Sequence, residues 1–345
     1  MPTSLRLAPA LCLLAGLLAA TPLSAQYYLG SRAADGSTGD TGSTGSTGDT
    51  GSTGDTGSTG SGTGGGTTTY GPGNTDLGGG TVTLATAIFN GGTVSNGTLS
   101  VTGSYTAYSG DVTALLTGSA SLTKLGGSDV FTLSNANTFT GSTFVNNGTL
   151  RLGAGGSIAQ TSSVTIAAGA TFDVSSVTGG FTLSSGQSLL GAGTIAGGLT
   201  LADGAKIRPD GSPAGTLTFT DGLSLAAGAS LDFDLGTSSD LLVINAGTLT
   251  GPAAGTVNLN FFDGGGFAAG NYTLFNYAGA TIADLDLADF SLGNAPGGYA
   301  YYINFGDNSL YLTASAIPES ATVALGFGAA ALVAVLVRRR RLRHH

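Results

Sequence analysis

The sequence predicts an all-β chain wound as a stacked solenoid, and three observations carry that expectation. Of 345 residues, 61 are Gly, none is Trp and only 9% are charged; such a Gly, Thr, Ser and Ala load, poor in helix formers, favours many short strands over long helices. Apolar residues alternate with polar ones in runs of three or four, and clusters of Gly, Asn and Ser separate the runs. A self-similar unit, apolar-x-apolar, a Gly-centred turn, then apolar again, returns along the chain. Strands this short are not stable alone. They hold only where neighbours above and below hydrogen-bond to them and cover their apolar side, the condition that a solenoid meets.

Residues 1–25 carry Arg6, an apolar run from Leu7 to Ala20 and the small-residue end Leu23-Ser24-Ala25. That pattern predicts a secretory signal peptide cleaved between Ala25 and Gln26. The single cysteine, Cys12, lies within it, so the exported body would have neither a disulfide framework nor a cysteine metal site. From Gly36 to Gly60 glycine recurs at every third position, in Gly-Ser-Thr or Gly-Asp-Thr triplets. Gly-X-Y spacing is also the collagen signature, but no proline occupies X or Y to preorganise a triple helix. A disordered polar spacer over 26–80 is the expectation.

Strand-like segments follow from Thr81, and the solenoid is expected over 81–315. Its most regular stretch runs from Leu122 to Leu152, with strands at 130–133, 143–145 and 149–152 between Gly, Asn and Ser turns. The residues Leu122, Thr123, Lys124, Leu133, Ser134, Asn137, Thr138, Thr140, Gly141, Thr143, Val145, Gly148, Thr149 and Leu150 resemble the autotransporter-associated β-strand repeat, here placed at 118–157. Departures touch detail only: the turn after Lys124 is one residue longer, Asn135 stands for Gly, and Phe139 for Tyr. The resemblance implies a right-handed parallel β-helix of the passenger type.

Downstream, copies of the unit begin at Leu150, Val164, Phe181, Leu199 and Leu223. A drifting period near eighteen residues is what a β-helix gives when corners vary and strands keep register. Alternation points the apolar members inward and their Thr, Ser and Asp neighbours outward. The stretch 206–215 contains Pro209 and Pro213 and is read as a corner or outward loop, because proline lacks the ladder N–H. From Asn271 to Thr313 the segments lengthen and become aromatic, which predicts a cap over the last strand edge and apolar end.

The segment 317–345 has three parts: Ile317-Pro318-Glu319-Ser320, an uncharged run from Ala321 to Val337, and Arg338, Arg339, Arg340, Arg341 and Arg343. Seventeen residues of helix reach about 26 Å, the short limit for one transmembrane helix, and the arginines would stay cytoplasmic. The tail resembles the PEP-CTERM sorting signal, with Ser320 in place of the second proline. The resemblance implies an exosortase-like sorting enzyme as partner, along with the secretion machinery. It also implies export, membrane anchoring facing outside, and then the cell surface or extracellular matrix, with exopolysaccharide as a further partner.

The formal charge is −9, and five of the eleven basic residues sit in the arginine tail. The acidic body is a poor match for nucleic acid. The body also lacks histidine, and Glu319 is the only glutamate in the chain. Candidate chemistry is therefore sparse. Asp232 and Asp234, two apart on one strand face, with Lys206 and Arg208 a coil earlier, form a lyase-like or hydrolase-like group, or else a soluble strand surface. Asp284, Asp286 and Asp289 are a calcium candidate without the Gly-interleaved loop of a dedicated site. Tyr299 and Tyr301 share a face suited to sugar stacking or to cap packing. No catalytic, cofactor or metal residue is assigned. The expectation is a non-catalytic surface or matrix β-solenoid, with a polysaccharide-active enzyme or a tail-anchored adhesin as alternatives.

Overall fold

The computed structural model describes residues 65–211 and 214–318. Signal peptide, most of the spacer, Glu319, Ser320 and the arginine tail lie outside them. Within them the chain is a parallel β-solenoid, and each coil visits three faces in turn. On the first face stand 81–84, 98–101 and Leu115–Thr117, then Phe181–Leu183, Leu199–Leu201, Leu223–Leu225, Thr248–Thr250 and Thr281–Ala283. The second face runs from Thr67–Tyr70 through Ser121–Lys124, Ser163–Ile166, Lys206–Pro209 and Val257–Asp263 to Phe290–Leu292. The third includes Asn74–Asp76, Val130–Leu133, Thr149–Leu152, Thr171–Asp173, Thr216–Phe219 and Gly270–Asn276.

Two features depart from the sequence expectation. The coil starts at Thr67, inside the stretch read as the end of the spacer: Thr67–Tyr70 is a β-branched and aromatic run that pairs with 86–89, and such residues suit a pleated, half-buried strand. The copies beginning at Leu150, Val164 and Phe181 lie on the third, second and first faces respectively. Their short separations therefore each cover two of the three corners, less than one full coil. True coil lengths appear where register is shared, as between Phe181 and Leu199 and between Leu199 and Leu223.

Alternation sets the core. Phe131, Leu150, Phe172, Ile195, Phe219 and Ile244 occupy one register column on the third face, and each is 0% exposed. Burying a side chain of this size contributes about 1.5 to 3 kcal/mol, so a column of six outweighs any single ion pair on the surface. Lys206–Pro209 is a strand rather than part of the expected loop. Pro209 closes it at the corner, where its missing N–H leaves the ladder intact and the N–H of Asp210 takes up Gly191 O at 2.8 Å.

The first face has no strand between Leu115–Thr117 and Phe181–Leu183. Buried polar side chains bridge that gap. Asn137, 2% exposed, accepts from the Leu116 N–H at 3.0 Å and donates to Asn135 O at 2.8 Å and Ser157 O at 3.3 Å. Two coils on, Gln187 accepts from the Ser184 N–H at 2.8 Å and donates to Thr161 O at 2.7 Å and Ile158 O at 3.2 Å. Each side chain does the work of missing backbone partners.

At the far end the ladder of the third face changes direction. Gly270–Asn276 pairs antiparallel with Ser309–Ala316, which pairs antiparallel with Tyr299–Phe305. This hairpin is the expected cap. Among the described residues no helix is long and apolar enough to cross a membrane.

Candidate functional site

The second face brings together the charged residues that the sequence singled out. Lys206 faces Ser230 and Ile207 faces Leu231 in register, so the side chains of Ser230–Leu235 stand one strand away from those of Lys206–Pro209. Lys206 Nζ lies 2.8 Å from Asp232 Oδ2, and Arg208 donates to Asp234 Oδ2 at 2.8 Å. Asp232 is 2% exposed, because Ser230 and Asn260 close over its other oxygen at 3.2 and 2.7 Å. Arg208 also lies over the Phe262 ring, 5.5 Å from its centroid, and its pairing with Asp234 raises its pKa further.

Beneath this ladder Asp240, 1% exposed, accepts from the backbone N–H groups of Gly215 and Asp234, both at 2.8 Å. Burial pushes its carboxyl pKa up, against those two hydrogen bonds. It locks the corner between the second and third faces. A similar pair joins Arg151 to Asp173 at 2.8 Å on the third face. Burial opposes ionisation of Asp173, but hydrogen bonds from Ser175 and Arg151 outweigh it and hold the pKa below the ordinary value.

A lyase or hydrolase needs a base free to take a proton beside its substrate. Here the carboxylates of Asp232 and Asp234 and the cations of Lys206 and Arg208 are engaged with one another, as links between successive coils. The acidic set near the cap is also occupied. Asp286 caps the short 3₁₀ turn Leu287–Asp289, accepting from the Ala288 N–H at 2.7 Å, while Asp289 accepts from the Asp286 N–H at 2.7 Å. Asp284 takes a left-handed φ of 49° at the preceding corner. Among the described residues no group of three or more His, Cys, Asp or Glu is placed to hold a metal ion. Tyr299 and Tyr301 join Phe267, Tyr272 and Phe261 in one aromatic cluster, with Phe267 stacked on Tyr272 at 5.0 Å and edge-on to Tyr299 at 5.0 Å. Tyr301 donates to Pro296 O at 2.5 Å, so both tyrosines pack within the cap.

Of the sorting residues, Ile317 and Pro318 are described. Ile317 is 57% exposed and its N–H is held by Gly298 O at 2.9 Å, directly after the last cap strand. The remaining tail residues, and Ala25 and Gln26, fall outside the described residues.

The regular stretch 122–152 holds what charge counting missed. Lys124 is 0% exposed. It follows Leu122 by two residues on one strand, so strict alternation points it inward. Its ammonium donates to Leu125 O at 2.5 Å and Asn147 O at 3.3 Å. Desolvation lowers its pKa, with Asp129 pulling the other way. Lys124 closes the corner between the second and third faces, and Asn137 the position where the first-face strand is missing, so carbonyls and N–H groups are satisfied at both.

The parallel β-solenoid, together with a passenger-associated repeat within it, fits a surface-exposed, passenger-like protein. Residues 122–152 match the passenger-associated-transport-repeat family, so the sequence resemblance and the structured repeat fall on the same residues. No curated protein matches the chain.

Proposed function

We propose that the chain is a non-catalytic β-solenoid, exported through the signal at 1–25 and sorted through 317–345 to the cell surface or the extracellular matrix. In this reading the solenoid is a rigid displayed body and the Gly-Ser-Thr spacer its flexible approach. The tail anchors it in the membrane until an exosortase-like enzyme acts near Pro318 and Glu319. The observation that supports it best is the passenger-associated repeat at 122–152 set within a continuous parallel coil. The exposed position of Ile317, just past the last strand, suits access by a processing enzyme.

Localisation of a tagged chain with and without residues 317–345, together with the mass of the mature form, tests this. The expected result is a mature N-terminus at Gln26 and surface retention that is lost on deletion. A chain that keeps Met1 and stays inside the cell would end the proposal. A polysaccharide-active enzyme is the second reading, favoured only by the Lys206, Arg208, Asp232 and Asp234 group. It requires release of unsaturated sugars that disappears in the Asp232→Ala, Asp234→Ala double variant.

A further inference from the structure

The corner joining the third face to the first changes length abruptly along the stack. Residues 174–180 span it between Thr171–Asp173 and Phe181–Leu183, but one coil later Gly197 and Gly198 suffice between Thr194–Ala196 and Leu199–Leu201. The long corner overhangs the short one and leaves an open groove of about 450 Å³, within the ~300 to 1,000 Å³ common for ligand sites. Gly197 makes the pinch possible. Its φ is +101°, and a Cβ there would meet the Ser175 backbone at 2.7 Å.

The floor is the outer side of the first face. Thr200 and Ser224 are in register, as are Ser224 and Thr250, so three hydroxyls form a row at the strand spacing of ~4.8 Å. Thr248 and Asp221 stand at the rim, and Val177 lends an apolar wall from the overhang. Asp221 is exposed, with Oδ1 accepting from the Gly222 N–H at 2.8 Å. No Lys or Arg lines the groove. One carboxylate among hydroxyls repels anions and is too few ligands for a cation. Rows of hydroxyls that both donate and accept suit a ligand that is itself a row of hydroxyls.

We propose that this groove binds a neutral glycan strand laid across successive coils. The inference rests on the surface-display reading for its setting, but the binding is a property of the purified chain. Failure of export and failure of the groove are thus separate results.

The test is calorimetric titration of the full chain with neutral gluco-oligosaccharides and, as comparator, a uronate oligosaccharide of the same length. A Cβ on Gly198 would meet only Gly222 O, at 3.9 Å, so Gly198→Leu fills the groove without a backbone clash. The expected result is binding of the neutral glycan over the uronate, weakened at least about tenfold by Gly198→Leu with the unfolding temperature unchanged. Thr200→Val, on the exposed floor, is expected to weaken it about threefold and supplies the readout should Gly198→Leu misfold. Undiminished binding in the folded variants, preference for the uronate, or no binding of any neutral oligosaccharide would overturn the site.

Discussion

The coils at 121–152 and those at 206–263 share one backbone design and treat polar groups in opposite ways. In the first, Lys124 and Asn137 point inward and hydrogen-bond to backbone carbonyls and an N–H of their own and adjacent coils. In the second, Lys206, Arg208, Asp232 and Asp234 stand on the outer side and pair with one another across strands. The first region lies where the first face lacks strands; the second lies where all three faces are continuous. Inward amides stand in for strand partners where the first-face ladder is incomplete, and the outward pairs link coils whose backbone ladder is complete; Asp240 is the inward exception there, closing one corner through the N–H groups of Gly215 and Asp234.

The largest effect that would break this contrast is expected at Asn137. Asn137→Leu keeps the volume but strands the buried Leu116 N–H and removes two donors, for an expected loss of about 2 to 3 kcal/mol in denaturant unfolding. A loss near zero would mean that the inward amide does not replace missing strand partners.

Lys124→Met comes next, with about 1 kcal/mol expected at neutral pH and a clearer signature in alkali. The folded lysine has a pKa below its ordinary value of about 10.4. It therefore gives up its proton before the unfolded chain does, and its contribution to stability rises with pH from the folded pKa to about 10.4. Buried tyrosines act oppositely. Tyr70 is pushed up to about 12 by burial, so the folded state holds that proton longer and loses stability as pH climbs from about 10. The difference between parent and Lys124→Met across this range isolates the lysine: the gap between them should widen in favour of the parent as pH rises. A constant gap would place the ammonium in water.

The outward ladder should matter least. Arg208 is 40% exposed at its side chain, so Asp234→Asn is expected to cost no more than about 1 kcal/mol, and less in ~1 M salt. A larger, salt-insensitive loss would show that the outer pairs carry as much as the inner ones.

The coil itself was legible in the sequence because alternation with period two holds within its strands, as at Leu231, Phe233 and Leu235. The cap was legible from its aromatic density. Lys124 entered the sequence reading only as part of the repeat, although its spacing from Leu122 already pointed inward. The gap in the first face was not legible. A segment such as 137–140 carries the same Thr and Asn residues as a strand, and only the neighbouring coils decide whether its backbone finds a ladder. The pairing of Asp232 with Lys206 was readable as proximity, but its closure by Asn260 depended on a strand nearly thirty residues further on.

The claim beneath all of this is parallel, in-register stacking of successive coils. In a chain whose only cysteine is removed by Cys12→Ser, cysteines at Thr123 and Phe144, register partners on the outer side, should form a disulfide readily under mild oxidant. Cysteines at Thr123 and Asn146, two residues out of register and so more than about 7 Å apart at Cα, should not. Equal linking of both pairs, or linking of the offset pair alone, would contradict the account.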